Sequence, residues 1–422
     1  MPFHHAANAA QAMEVSDRSS NIAVQGKRVA GAQMLDGGDG LRVTIATSIH
    51  DVDSAAWDAC AGVGNPFVSH GFLAALEESA SVSAATGWLP RHIVVSSTED
   101  RVLGCMPLYL KSHSYGEYVF DWSWAEAYER AGGRYYPKLQ AAVPFTPVTG
   151  PRLLLCADAP AWVGDRLATA ATALAARLGA SSVHLTFAPD RECARLTEHG
   201  FLLRVGHQYH WRNEGYRTFD DFLAALASRK RKAIRKERAA IDGHEIVIKT
   251  LTGDAIGARH WDAFHRFYLD TIQRKSAHAY LNRDFFRLLG ERMADRVVLV
   301  LAETGDGVAV AGALNLLGDD ALYGRYWGCL ADYRFLHFEV CYYQAIDFAI
   351  AHGLSRVEAG AQGQHKIQRG YLPCPTYSAH WIANDGLRRA VARFLIAERE
   401  AAKREIAALA AESPFRRDGT GG

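Results

Sequence analysis

The residues best suited to chemistry in this sequence stand close together in VEAGAQGQHKIQRGY, at positions 357–371. Gly360 and Gly363 permit tight turns and let a ligand approach the backbone closely. The side chains around them donate hydrogen bonds to carbonyl, carboxylate or phosphate oxygens: Gln362, Gln364, His365, Lys366 and Arg369, followed by the ring of Tyr371. The pattern favours a loop that binds a polar ligand; a solvated surface loop of the same composition is the alternative.

Glu358 stands beside Val357 inside an apolar run that is typical of a buried strand. Desolvation would suit its carboxylate to accept a proton from an ammonium group, so Glu358 is a candidate general base. A purely structural hydrogen-bond partner is an equally good interpretation. The strand follows a helix that ends in glycine, which places the polar loop at the carboxyl end of the strand, where open α/β sheets gather ligands.

Two other segments, at 121–139 and 325–327, carry candidate substrate-binding residues. DWSWAEAYERAGGRYYPKL, starting at position 121, interleaves aromatic rings with charges, as a wall for a sugar, peptide or nucleobase would; a lid packed on the core is the alternative. From these segments we predict substrate contacts at Asp121, Trp122, Trp124, Tyr128, Tyr135, Lys138, Arg325, Tyr326 and Trp327.

A basic run, SRKRKAIRKER at 228–238, falls on a predicted helix. Helical spacing puts Arg231 and Arg235 on one face and Lys232 beside them. The run predicts contacts to phosphate groups, such as those of a tRNA, whereas a solvated helix face is the commoner origin of such a pattern.

Familiar catalytic and cofactor motifs are absent, since the sequence contains no GxxxxGK[ST], no GxGxxG after a strand, no HExxH and no GxSxG. His260 and His265 in HWDAFH fall on different faces of a helix. No metal site and no tightly bound cofactor are therefore expected.

Composition limits the class of protein. The chain has 422 residues, 49% of them hydrophobic and 22% charged, with a net charge of +1, which is typical of a globular protein with more than one domain and no general affinity for DNA. Its 7 cysteines include no CxxC pair, which predicts a reducing cytoplasmic location without disulfides or a zinc site. No signal peptide and no membrane span are predicted.

The elements that must position these residues alternate between strands and helices, which predicts an α/β (α+β) fold. Strand patterns include LRVTIATSI, RHIVVSS, SSVHLTF and RVVLVLAE, and helix patterns include WVGDRLATAATALAARLG and FEVCYYQAIDFAIAHG. TFDDFLAALASRKRKAIRKERAAI is predicted to be one helix. Asn65 with Pro66 predicts a helix start, and Gly179 predicts a helix end.

The two halves of the sequence repeat. Gly104 and Gly312 lie 208 positions apart, as do the YGxY motifs at Tyr115 and Tyr323, whereas GASSV and GLSRV lie 174 apart. Two copies of one unit, with 34 additional residues in the first, explain both offsets. We predict a disordered tail at 1–40, domains at 41–210 and 211–386 with an insertion at about 120–152, a helix at 387–412 and a disordered tail at 413–422.

LHFEVCYYQAIDFAIAHGL with VEAGAQGQHKIQRGY, and LYLKSHSYGEYVFDWSWAEAYERAGGRYYPKL, give the chain a family resemblance. Over roughly 41–385 it resembles the FemAB-like branch of the GNAT acyltransferase superfamily, and within it a bacterial group of peptidoglycan biosynthesis or recognition proteins. The resemblance implies tandem GNAT-like domains flanking a cleft, and transfer of an acyl or aminoacyl group onto a primary amine by direct attack. Glu358 or a relayed water would then take the proton of the ammonium group, and Lys366 or Gln362 would face the oxyanion.

The acyl donor is the open part of this expectation. The [QR]xxGx[GA] loop that binds acetyl-CoA in many GNAT enzymes has no counterpart in GCLADYRFLHFEVCYYQ, which favours a donor other than CoA, with aminoacyl-tRNA the most natural. A non-catalytic module that recognises a peptide or a peptidoglycan precursor is the main alternative, and a CoA-dependent N-acetyltransferase is a weaker one. The C-terminal helix has an apolar stripe for docking on its own domain, or else on a second copy of a homodimer.

Overall fold

The computed structural model describes residues 33–36, 40–243 and 245–416. Its strands are β1 (Gln33–Asp36), β2 (Leu41–Ala46), β3 (Trp88–Pro90), β4 (His92–Ser97), β5 (Val102–Met106), β6 (Leu108–Lys111), β7 (Lys138–Ala141), β8 (Leu154–Leu155), β9 (Ser182–Ala188), β10 (Leu202–Arg212), β11 (Ile246–Thr252), β12 (Val297–Thr304), β13 (Ala309–Leu317), β14 (Ala321–Cys329), β15 (Arg356–Glu358) and β16 (Leu372–Ile382).

The helices are α1 (Ser54–Ala61), α2 (His70–Glu78), α3 (Trp122–Arg130), α4 (Val163–Leu178), α5 (Asp190–Glu198), α6 (Phe219–Ala225), α7 (Ser228–Asp242), α8 (Ala258–Arg274), α9 (Arg283–Met293), α10 (Leu336–Phe338), α11 (Gln344–Ala351) and α12 (Asp385–Ala411). A π-helical turn at Glu339–Tyr343 joins α10 to α11. Within the described ranges, none of the helices is both long and apolar enough to cross a membrane.

Helix ends follow from local chemistry. The Ser69 side chain accepts a hydrogen bond from the backbone N–H of Phe72 and caps α2, while Asn65 caps the 3-10 turn Pro66–Val68. Gly179 ends α4 in the left-handed conformation, with φ of 63°, which a residue without Cβ adopts at little cost. The predicted end at Gly179 is confirmed, and the predicted start at Asn65 begins a 3-10 turn that leads into α2.

Two sheets form the frame of the molecule. One has the strand order β1-β2-β4-β5-β8, and the other, with 11 strands, has the order β11-β12-β13-β14-β15-β10-β16-β9-β7-β6-β3. Most neighbouring strands are antiparallel, but β14 and β15 are parallel, as are β7 and β9. Because helices and strands alternate along the chain, the predicted mixed α/β class is confirmed.

The two halves of the chain interleave at the middle of the larger sheet. Strand β10, at the end of the first half, pairs with β15 and β16 of the second half, and β16 pairs in turn with β9 of the first. The register places His210 opposite Glu358 and His380 opposite His184. A boundary between 210 and 211 therefore cuts through β10. The duplication itself stays a prediction, and Tyr115, unlike Tyr323 of β14, lies outside the strands.

The long helix α12 docks on its own chain, against β10 and β16. Val391 and Leu395 are buried beside Trp124 of α3, and Leu409 joins a second cluster nearer the end of the helix. Phe394 is 47% exposed, so the predicted apolar stripe is only partly covered.

The expectation that no disulfide forms is wrong, because Cys60 and Cys156 are bonded across a sequence separation of 96 residues. The pair joins α1 to the chain just after β8. Cys105, Cys193, Cys329, Cys341 and Cys374 are free thiols. Scattered spacing hid the pair, because only the fold brings positions so far apart in sequence together.

The prediction of one helix from Thr218 to Ile241 is also wrong, because α6 and α7 are separate. Leu226 and Ala227 between them have extended backbones, with ψ of 153° and 142°. Leu226 is buried and forms an isolated antiparallel β-bridge with Phe415. The Ala227 N–H donates a hydrogen bond to the carbonyl oxygen of Pro414. Tertiary pairing with the C-terminal segment thus overrides helix propensity.

The predicted disordered ends are wrong where the structure describes them. Residues 33–36 form β1 on the edge of β2, and Phe415 pairs with Leu226. The remaining parts of those predictions, at 1–32, 37–39 and 417–422, lie outside the described residues.

Candidate functional site

A cleft opens where two parallel strands separate. Strands β14 and β15 pair only at 321–323 with 356–358, after which β14 continues to Cys329 while the chain beyond Glu358 leaves the sheet. Gly360 and Gly363 both have positive φ, 78° and 102°, so the predicted tight turns let the loop bend away. The resulting cleft has a volume of about 720 Å³ and is lined by both halves of the chain.

The charge of the cleft lining is one-sided. Its cations are Lys275, Arg325 and Lys366, and no aspartate or glutamate is found among the described residues that line it. Its other polar side chains include Gln362 and three histidines. A ligand with a carbonyl, carboxylate or phosphate oxygen therefore meets donors here, without a competing carboxylate.

Lys366 lies in this lining with a residue exposure of 5%. Its Nζ donates to the carbonyl oxygens of Ala359 at 2.5 Å and Gly360 at 3.5 Å, which bends the loop around the ammonium group. Burial lowers the pKa of Lys366 to about 8, and the nearby Arg325 and Lys275 charges act in the same direction. The group is therefore a charged donor near neutral pH and a neutral amine in mild alkali.

Two histidines line the cleft beside Lys366: His365, which the sequence analysis named, and His337, which it missed. His365 Nε2 lies 2.9 Å from Tyr342 Oη, and the ring of His337 lies 5.8 Å from that of His365. Burial lowers the pKa of both imidazoles, that of His337 to about 4, and the charge of Lys366 adds to the effect on each. Both rings are therefore neutral at physiological pH.

Sequence reasoning identified a helix that carries Tyr342 but began it at Phe338, one residue after His337, and did not identify the face that it presents. The spacing of five positions between His337 and Tyr342, from α10 into the π-helical turn, offered the only signal. Tyr118, Phe120 and Phe145 of the first half were missed as well, although two of them fall inside the predicted insertion.

Glu358 does not line the cleft. Its carboxylate is fully buried and accepts hydrogen bonds from Thr149 Oγ1 at 2.9 Å and from Arg356 Nε at 3.2 Å. Arg325 Nη2 lies 3.6 Å away and His210 Nε2 lies 3.8 Å away on the neighbouring strand. This geometry favours the structural interpretation, in which Glu358 is a buried carboxylate paired with arginines. Because the Glu358 side chain does not contact the cleft, the structure gives no support to the predicted catalytic role.

The aromatic segment lies away from the cleft. Asp121, Trp122, Trp124, Tyr128, Tyr135 and Lys138 are all outside its lining, and Trp122–Arg130 is a helix. Trp124 and Tyr135 are buried against α12, whereas Trp122 is 40% exposed. Most of the predicted ligand-binding wall is therefore packed on α12, as in the alternative interpretation of this segment as a lid on the core.

Three of these residues, Asp121, Tyr135 and Lys138, belong to a buried polar network. Lys138 Nζ donates to Glu117 Oε2 at 2.8 Å, to Ser114 Oγ at 2.7 Å and to Asp121. Tyr135 Oη donates to Asp121 at 2.7 Å. Asp121 and Lys138 thus stabilise the fold of the first half rather than face a ligand.

The other predicted substrate-binding residues divide between cleft and core. Arg325, Tyr326 and Trp327 line the cleft along β14, and Gln362 and His365 line it from the loop. Gln364, Arg369 and Tyr371 do not. Arg369 donates to Glu237 at 2.8 Å, and buried Tyr371 donates to the carbonyl of Tyr342 at 3.0 Å.

The basic helix α7 borders the loop of the cleft. Lys230 Nζ donates to Gln368, and Glu237 accepts from Arg369. Among the predicted phosphate contacts, Lys232 is exposed, Arg231 is half-buried, and exposed Arg235 is paired with Asp220 at 2.9 Å. A long anionic ligand in the cleft would therefore pass close to a basic surface.

Several solved structures share this fold. The crystal structure of FemX has a TM-score of 0.52 at 12% identity, over 81% of this chain and 98% of that chain. The C-terminal domain of a predicted lysylphosphatidylglycerol synthetase from Agrobacterium fabrum has a TM-score of 0.51 at 10% identity, over 83% of this chain and 97% of that chain. A GCN5-related N-acetyltransferase from Kribbella flavida aligns with a TM-score of 0.35 at 11% identity, over 81% of this chain and 71% of that chain.

At the level of sequence, no curated protein matches this chain. The model of the FemAB-like family, whose description is peptidoglycan biosynthesis/recognition, matches residues 48–417. This span contains the whole cleft and the loop with Lys366. The chain belongs to the FemAB-like family.

Proposed function

We propose that this protein transfers an acyl or aminoacyl group onto a primary amine in the cleft between β14 and β15. The observation that supports this most directly is the acid-free lining, in which the buried ammonium group of Lys366 lies beside neutral imidazoles. Such a lining suits a reaction that passes through an oxyanion. Membership of the FemAB-like family supports the coarser statement that the chain acts in peptidoglycan biosynthesis or recognition.

The reaction needs no covalent enzyme intermediate. The amine nitrogen attacks the acyl carbonyl carbon of an ester donor, the carbonyl electrons move onto oxygen, and Lys366 Nζ donates a hydrogen bond to that oxyanion. The neutral imidazole of His365 accepts the proton that the attacking nitrogen loses. Collapse of the intermediate breaks the bond to the donor oxygen, which takes the proton back from the His365 imidazolium and leaves as a hydroxyl group.

Aminoacyl-tRNA is the donor we favour. The terminal ester of such a donor would enter the cleft, and its phosphates would lie along α7, which Lys230 and Glu237 tie to the loop of the cleft. The acceptor is an amine of a peptide, an amino acid or a cell-wall precursor.

The test measures label transfer from a mixed pool of radiolabelled aminoacyl-tRNAs into a cell extract. We compare the wild type with Lys366→Met, which keeps the volume of the side chain but removes the donor, and with Lys403→Met on the exposed face of α12 as a control. Label entering an amine fraction with the wild type and the control, but about 100-fold more slowly with Lys366→Met, supports the proposal.

Two outcomes would contradict it. Equal transfer by the wild type and Lys366→Met would remove Lys366 from the chemistry. Complete absence of transfer, with a folded protein that still binds a peptidoglycan precursor, would identify a recognition module instead. A melting temperature raised by acetyl-CoA alone would point to the CoA-dependent alternative.

A further inference from the structure

A short segment of irregular chain forms one wall of the cleft. It comprises residues 275–280, between α8 and α9, and is called the strap. Its first five residues are exposed, and its last residue, Tyr280, is half-buried. The residues of the strap that line the cleft are Lys275, Ala277, His278 and Tyr280. The strap therefore has the cleft on its inner side and solvent on its outer side.

A second cavity shares this wall. It has a volume of about 430 Å³, and Phe145, His278 and Tyr280 line both this cavity and the cleft. Ala279 of the strap also lines the second cavity. Because the strap and the ring of Phe145 stand between the two spaces, an outward movement of the strap would join them into one open trough.

The side chain of Tyr280 fastens the strap to the first half of the chain. Its ring stacks on that of Phe145, with 4.9 Å between the ring centroids and an interplanar angle of 6°. A hydrogen bond from the backbone of Gly116 reaches the hydroxyl of Tyr280. Phe145 is itself held in place, because its carbonyl accepts hydrogen bonds from Tyr118 and Tyr326 at 3.2 and 2.9 Å. Tyr280 is thus a latch that closes on a fixed ring.

Both ends of the strap are anchored. Arg274, the last residue of α8, donates a hydrogen bond to the carbonyl oxygen of Cys329 at the end of β14. Asn282 caps α9 by accepting a hydrogen bond from the Phe285 N–H at 2.9 Å, and it donates to the carbonyl oxygen of Ser79 at 2.5 Å. Any movement of the strap is therefore a local swing between two fixed points.

The middle of the strap is held weakly. Ser276 has a left-handed backbone with φ of 48°, a conformation that costs free energy in a residue with Cβ. The Ala277 N–H donates back to the carbonyl of Ile272 in α8 at 3.1 Å, but within the described part of the chain the N–H groups of His278 and Ala279 have no backbone partner. Exposed chain with so few hydrogen bonds opens at a low cost in free energy.

The other end of the strap lies over the polar loop of the cleft. The charge of Lys275 contributes to lowering the pKa of both Lys366 and His337, so its ammonium group is close to both. The strap therefore extends from the Lys366 end of the cleft, at Lys275, to Phe145, at Tyr280. If it swings outward, both the cover and the charge of Lys275 leave the cleft.

We propose that the strap is a lid of the cleft, which opens when Tyr280 leaves Phe145 and closes again over a bound ligand. The structure shows the closed position. A closed lid excludes water, which protects an ester donor from hydrolysis. That benefit rests on the proposed function, whereas the movement of the strap does not.

The experiment measures how fast Cys341 is alkylated in the full-length protein, with iodoacetamide and separately with the much larger fluorescein-5-maleimide, by mass spectrometry of peptides. Cys341 lines the cleft, whereas Cys193 is fully buried, lines neither cavity and reports on general unfolding. Tyr280→Leu removes the ring stack but keeps apolar bulk, and Tyr280→Phe keeps the ring. The control is Trp162→Leu, which removes a ring that is 44% exposed and lines neither cavity.

We expect both reagents to alkylate Cys341 about tenfold faster in Tyr280→Leu than in the wild type, because loss of the stack favours the open lid. The rates for Tyr280→Phe and Trp162→Leu should stay within about threefold of the wild type, since each keeps the stack on Phe145. The rate at Cys193 should not change in any variant.

Three results would overturn the proposal. Equal rates at Cys341 in the wild type and Tyr280→Leu would show that the latch does not control access. Acceleration with iodoacetamide alone would indicate a fixed gap, since an open lid admits both reagents. Acceleration at Cys193, or an equal one in Trp162→Leu, would indicate general loosening of the fold.

Alkylation requires no turnover, so it separates the lid from the proposed function. Absence of acyl transfer together with the expected alkylation rates counts against the proposed function alone. Acyl transfer together with unchanged alkylation in Tyr280→Leu counts against the lid alone.

Discussion

At the scale of single residues, the protonation of Lys366 should control the rate. Because the ammonium form is the donor to the oxyanion and burial lowers the pKa of Lys366 to about 8, we expect activity to fall as pH rises through about 8. In Lys366→Arg the guanidinium stays charged, so residual activity should persist to at least about pH 10. Rate against pH for both proteins checks this, and an unchanged alkaline limb in Lys366→Arg would contradict it.

Also at the scale of single residues, substitution of Glu358 distinguishes a structural role from a catalytic one. Glu358→Gln leaves Arg325 and Arg356 without their buried anion, so we expect the free energy of unfolding to fall by about 3 kcal/mol. Glu398→Gln, in a half-buried pair with Arg204, should cost at most about 1 kcal/mol. Denaturant unfolding measures both; a stable Glu358→Gln protein that has lost only its turnover would restore the predicted base.

At the scale of elements, α7 should contribute electrostatically to the binding of tRNA. Lys232→Ala should weaken binding and reduce the slope of log affinity against log salt by about 1, because one phosphate contact releases about one counterion. Arg235→Ala, on the same helix, should change the slope less because Asp220 already pairs with Arg235. Fluorescence anisotropy at several salt concentrations makes the comparison, and identical slopes in wild type and Lys232→Ala would exclude the contact.

The disulfide joins α1 to the segment after β8 and closes a loop whose ends lie 96 residues apart in sequence. Loss of so long a closed loop raises the entropy of the unfolded chain, so the double variant Cys60→Ala/Cys156→Ala should lose about 3 kcal/mol of unfolding free energy. Reductant should destabilise the wild type and leave the double variant unchanged. Equal stability of the two proteins without reductant would mean that the bond does not form in solution.

At the scale of the whole molecule, the interleaving of β10 and β16 makes the two halves interdependent. Residues 41–210 alone would lack β16 beside β9, and residues 211–416 alone would lack the partner strand of β15 and β16. We expect neither fragment to fold, because each would leave a central strand of the sheet without its backbone partners. Circular dichroism during heating tests this; a cooperative transition in either fragment would support independent domains.

The sequence predicted elements better than contacts. Alternating apolar patterns found the strands around Val183 and Val357, and Gly179 marked a helix end, because these features depend on neighbours along the chain. The cleft was found in part: the loop with Lys366, Gln362 and His365 was predicted, whereas His337 and Phe145 were not. The local sequence of Phe145 does not distinguish a cleft-facing ring from a buried one, and the only signal for His337 was its spacing from Tyr342.

The sequence by itself determined the α/β alternation, the glycines that turn the loop after Glu358 and the family of the chain, since each depends on residue type and order. The tertiary structure decided that Lys366 lines the cleft while Glu358 lies among Arg325, Arg356 and Thr149, and that the aromatic segment packs on α12. The physical reason is that burial and charge pairing depend on which strands become neighbours. Here β10 of the first half pairs with β16 of the second half, so neighbouring residues come from distant parts of the chain.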